Sequence, residues 1–91
     1  MRLLALLTGF LLVSAVRPPS LTLDQSAALV HYAKAQMARQ LEDGERYLLE
    51  LDQATTLDPH TARPNQEYLA LLKALGRNED ASRHLEDMTR P

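Results

Sequence analysis

The sequence predicts an all-α fold, two helical hairpins stacked as an α–α solenoid fragment behind an apolar N-terminal signal helix. Three observations carry this expectation. After Ser20, apolar residues recur at helical spacing through four successive stretches, each closed by glycine or proline. No stretch shows the strand-length alternation of β-branched residues that a sheet requires. The chain also resembles itself at an offset of 34 residues, as the alignment below sets out.

The 91 residues allow one domain, and the first part of them reads as an address. Met1-Arg2 is a short basic start, and Leu3 to Val16 is apolar except for Thr8, Gly9 and Ser14. Val13-Ser14-Ala15 places small residues where a signal peptidase cuts, and Arg17-Pro18-Pro19 follows. The run falls short of the roughly 20 residues of a relaxed membrane span. The expected organisation is a signal peptide over 1–15, an extended linker over 16–21 and a helical domain over 22–91. The expected location is outside the cytoplasm, periplasmic or secreted, with an uncleaved membrane anchor as the alternative. Removal of Met1 to Ala15 takes away Arg2 and no acid, so the formal charge moves from −2 to −3. That mild acidity, with both signs interspersed, argues against a nucleic-acid binder or a polybasic membrane-surface protein. The chain has no cysteine, so no disulfide compensates for a thin core.

The first helix is expected from Thr22 or Asp24, either able to cap it, to about Gln40. Ala27, Val30, Ala33 or Lys34, Met37 and Leu41 form one apolar stripe, with Leu29, Tyr32 and Gln36 beside it. Its many alanines favour helix and admit a close neighbour. Leu41-Glu42-Asp43-Gly44 is the turn. The second helix runs from Gly44 to Pro59, with Tyr47, Leu48, Leu51, Ala54 and Thr55 on one side. Asp58 to Pro64 is a loop of turn formers. The third helix is expected from Pro64 to Gln66 through Leu75, with Tyr68, Leu69, Leu71, Leu72 and Leu75 as its apolar set. Gly76 suits the left-handed residue that closes a helix. Asn78 is the expected cap of the fourth helix, whose inner face is Ala81, Leu85 and Met88.

Aligned at an offset of 34, Leu41 matches Leu75, Glu45 matches Glu79, Leu51 matches Leu85 and Thr55 matches Thr89. Met37/Leu71, Arg39/Lys73 and Asp52/Glu86 are like for like. In the second unit Ala81, Leu85 and Met88 stand at helical steps; in the first, Tyr47, Leu51 and Ala54 do, followed by Leu57-Asp58-Pro59. From Leu29 to Thr89 the chain thereby resembles the tetratricopeptide repeats, whose period is 34 residues. The family's first-helix positions fall on His31, Lys34, Ala35 and Ala38, then on Asn65, Tyr68, Leu69 and Leu72. Its first small position in the second helix of unit one is occupied by Tyr47, which is expected to hold the first two helices apart. An antiparallel four-helix bundle is the alternative architecture.

The resemblance implies that first helices line a ligand-facing surface. The family's ligand-facing positions are then Leu29, Tyr32, Ala33, Gln36, Arg39 and Gln40, and Arg63, Gln66, Glu67, Ala70, Lys73 and Ala74. Tyr32, Gln36, Arg39, Gln40, Gln66 and Lys73 are the expected partner-binding residues. Arg39 and Lys73, equivalent by the offset, suit a carboxylate or an acidic segment. The family's Lys/Asn clamp for C-terminal carboxylates is not reproduced.

Little in the chain suggests chemistry. His31, His60 and His84 share no ligand spacing. His31 reads as a boundary residue, His60 as a loop residue and His84 as part of a solvated face. The acidic pairs Glu42-Asp43, Glu79-Asp80 and Glu86-Asp87 read as turn and surface residues. The serines lie in no nucleophile motif and the three glycines form no phosphate-binding loop. The expectation is therefore a non-catalytic interaction module with no cofactor and no metal. It would bind a peptide segment or partner subunit, or self-associate. The alternative is a structural four-helix subunit tethered by its N-terminal segment.

Overall fold

A computed structural model describes residues 20–91. Four α-helices follow in order: α1 (Leu23–Gln40), α2 (Gly44–Leu57), α3 (Ala62–Ala74) and α4 (Asn78–Thr89), with no strand among the described residues. The signal peptide, most of the linker and the alternative anchor fall outside the described residues. Among those described, no helix is long and apolar enough to cross a membrane.

Each boundary has a local cause. Thr22 begins α1 through a capping box. Its hydroxyl accepts from the Gln25 amide at 3.0 Å, and the Gln25 side chain accepts from the Thr22 amide at 3.0 Å. Asp43 caps α2 through the Arg46 amide at 3.1 Å. α3 starts earlier than expected, at Ala62, because Pro64 fits the third position of its first turn, where no intrahelical N–H is needed. Asn78 is the first residue of α4 rather than its cap; Arg77 takes the cap position without a side-chain bond.

The two inter-helix turns are copies of each other displaced by 34 residues. After α1, the amide of Asp43 donates to Ala38 at 2.9 Å and that of Glu42 to Arg39 at 3.1 Å. After α3, Arg77 donates to Leu72 at 2.9 Å and Gly76 to Lys73 at 3.0 Å. These are the paired bonds of a Schellman ending, which needs a left-handed residue at the turn. Gly76 supplies it at φ 74°, and its counterpart Glu42 at φ 57°. Glycine adopts that conformation freely; glutamate is a strained choice.

The core comprises Ala35, Leu51, Tyr68, Leu72 and Ala81, with Tyr32, Tyr47, Leu48, Leu69 and Leu71 packed around it. Leu51 and Leu72 are fully buried. An apolar stripe at helical spacing ordinarily marks the buried face of a helix. In α1 it does not. Val30 and Met37 face outward, and the buried side is Ala28, Ala35 and Ala38. Those small side chains line the buried side of α1, and Tyr47 of α2 packs against the core and reaches Glu67 of α3 with its hydroxyl. The inner face of α4 also differs from expectation. It is Ala81 and His84 that are buried there, while Leu85 is 48% exposed and Met88 is half-buried.

Buried polar groups tie the elements together. Glu50 of α2 is buried and its carboxylate meets His31 Nδ1 of α1 at 2.6 Å, with Arg46 at 3.5 Å. Asn65 of α3 is fully buried and donates to the carbonyls of Asp58 at 2.9 Å and Thr61 at 2.7 Å. It thus clamps the loop between the two helix pairs to the start of α3.

Candidate partner-binding surface

Tyr32, Gln36 and Arg39 lie at helical steps on one side of α1, turned toward α3. All three converge on the carboxylate of Glu67. The Tyr32 hydroxyl donates a short hydrogen bond to Oε2. Gln36 Nε2 lies 3.1 Å from Oε1 and 3.2 Å from Oε2. Tyr47, arriving from α2, donates to Oε1 at 3.0 Å, and Arg39 Nη1 stands at 3.5 Å. One carboxylate thereby joins three helices.

The electrostatics follow from this geometry. Burial acts most strongly on Glu67 and pushes its pKa up. The bonds from Tyr32, Gln36 and Tyr47, with the charge of Arg39, together overcome it and hold the carboxyl below its ordinary value. Tyr32 is pushed up to about 12, first by burial and then by its bond to Glu67. Tyr47 is raised for the same reasons. The cluster is therefore one ionised acceptor surrounded by neutral phenols, an amide and one cation.

Of the six expected partner-binding residues, the structure brings three together. Gln40, Gln66 and Lys73 are exposed and do not join the cluster. The carboxylate beside Arg39 is thus the chain's own Glu67. The Arg39 side chain remains 64% exposed, and its contact is the longest of the set. Glu67 was legible only as one ligand-facing position among twelve. Tyr47 was legible only as a misfit in a slot for a small residue. A tyrosine and a glutamine at helical steps on α1, with a tyrosine on α2, opposite the lone acid of α3 are the signal that finds such a cluster.

A groove of about 660 Å³ lies between α2 and α4. Tyr68 and His84 meet edge to face there, ring centroids 4.9 Å apart at 86°. The Tyr68 hydroxyl donates to Asp52 Oδ1 at 3.0 Å. Burial, then the bond and charge of Asp52, push Tyr68 up to about 12. His84, expected on a solvated face, is instead buried, and its Nε2 has no partner among the described residues. Burial lowers its pKa against the opposing pull of Asp87 and Asp52. The rim is ionic and internally paired: Asp80 meets Arg77 at 2.8 Å and Arg83 at 2.9 Å, and Asp87 meets Arg90 at 3.6 Å. Such exposed pairs contribute little to stability.

Compared with known protein families, characterised proteins and solved structures, the chain finds no match.

Proposed function

We propose that the chain is an exported, non-catalytic, tetratricopeptide-like interaction module. It holds a peptide segment or partner subunit against the α1/α3 face. The observation that carries this reading is the 34-residue translation. It relates the ends of α1 and α3, the starts of α2 and α4, and every bond of the two Schellman turns. Repeats of this kind act through the surface that their first helices line, and here that surface has a fixed polar centre. Glu67 is saturated with donors, so it serves better as an organiser of neighbouring side chains than as a proton carrier. Arg39 and Arg63 stand near it, and Lys73 lies further along α3, all three exposed. Arg39 is held at the longest distance and is free to exchange Glu67 for an incoming carboxylate. The favoured ligand is accordingly a segment carrying acidic side chains.

The test compares affinity capture by the wild-type chain and by Arg39→Glu/Lys73→Glu from extracts of the source organism. A polypeptide retained by the wild type and lost from the variant, with the helical circular dichroism unchanged, supports the reading. Identical retention by both removes the α1/α3 face as the contact.

A further inference from the structure

We infer that the outward stripe of α1 is the seam of an antiparallel homodimer. Leu23, Ala27, Val30, Lys34, Met37 and Leu41 succeed one another in alternating steps of four and three residues. That is the a/d spacing of a coiled-coil seam. Leu23 is 90% exposed, Val30 54%, Met37 62% and Leu41 78%. Lys34 is exposed and Ala27 half-buried. Four of the nine large apolar side chains exposed among the described residues therefore lie on one stripe, about 27 Å long at helical rise. Single exposed leucines are ordinary, but large apolar side chains gathered on one strip, interrupted by Lys34 alone, mark an interface.

The stripe itself says what covers it. Turned end for end about a two-fold axis midway between Val30 and Lys34, it is complementary to itself. Leu23 then faces Leu41 of the second copy, Ala27 faces Met37, and Val30 faces Lys34. Every layer pairs an a position with a d position. The smallest side chain meets the most adaptable one, and the Lys34 stem covers Val30 while its ammonium reaches water. A parallel pairing would instead set Ala27 on Ala27, leaving a void, and Lys34 on Lys34, opposing like charges. Ser26, Ala33 and Gln40 flank the seam on one side without charge, so the two backbones can approach. The closed two-fold arrangement limits association at two copies.

This face is separate from the Ala28–Ala35–Ala38 side that meets α2 and from the Tyr32–Gln36–Arg39 side that meets Glu67. The dimer is therefore independent of the ligand reading above. It would leave both α1/α3 surfaces open, giving a bivalent particle.

The chain has no cysteine, so an introduced thiol is unique. In the full chain under mild oxidation, Ala33→Cys should form a disulfide-linked dimer. Leu23→Cys mixed with Leu41→Cys should link to each other, and neither should link to itself. By sedimentation equilibrium the wild type should dimerise below about 100 µM, and Val30→Lys, which would oppose Lys34 with like charge, or Met37→Glu should raise Kd at least about tenfold with helicity retained. Self-linkage of Leu23→Cys, a wild-type monomer at that concentration, or a dimer that survives both charged substitutions would overturn the inference.

Discussion

Two residues show most clearly how single side chains set the behaviour of this chain. His84 is buried against Tyr68 with its Nε2 unpartnered, and burial holds its pKa below the ordinary 6.5. A histidine depressed in this way favours folding above its unfolded pKa, and that contribution is lost as pH falls through the folded value. Asp87 and Asp52, the nearby acids, moderate the shift without reversing it. Glu67 adds a second limb with the same sign at lower pH, because its carboxyl is held below the ordinary 4.5. The urea midpoint of the wild type should therefore fall on acidification from pH 7 through the region below 6.5, and fall again below 4.5. His84→Phe should flatten the first limb and keep the second. A wild-type midpoint that rises between pH 7 and 5 would contradict this assignment.

At the level of elements, the helices are legible from sequence because their punctuation is local. Thr22, Asp43 and Gly76 each act within one turn of chain, and all three mark their boundaries in the structure. The orientation of α1 was not legible, because two stripes compete for its buried side. Hydrophobicity favours Val30 and Met37, while close approach favours Ala28, Ala35 and Ala38. Within this chain the small residues win, because α2 presents Leu51 and Ala54 as a filled surface that only a small partner can approach. The buried polar residues were missed for a related reason. Glu50 and His84 look like surface residues taken singly, yet they stand 34 apart and are both buried. The offset that revealed Leu51 and Leu85 would have paired them too. Glu42 was hidden in the same way: nothing in a glutamate announces a left-handed turn, but its counterpart Gly76 does. Replacement of Glu42 by Gly should stabilise the chain by about 0.4–1 kcal/mol, read from the urea midpoint, because it relieves the positive φ. A loss of stability would mean that the Glu42 side chain contributes something that its geometry does not reveal.

At the scale of the whole molecule, equivalent positions of the two hairpins are buried unequally among the described residues. Leu51 is enclosed in the core cluster with Tyr68 and Leu72 of α3, while its counterpart Leu85 is 48% exposed. Repeating units stabilise one another chiefly through such neighbour contacts. The same chemical substitution should thus have different consequences at the two equivalent positions. The measurement that bears most directly on this is equilibrium urea unfolding of Leu51→Ala and Leu85→Ala side by side. Leu51→Ala should lose about 2–5 kcal/mol, as buried leucines do, and Leu85→Ala less than about 1 kcal/mol. Equal losses, or a larger loss at Leu85, would mean that the two units are not stacked with the second upon the first, and the surface assigned to α1 and α3 would fall with them.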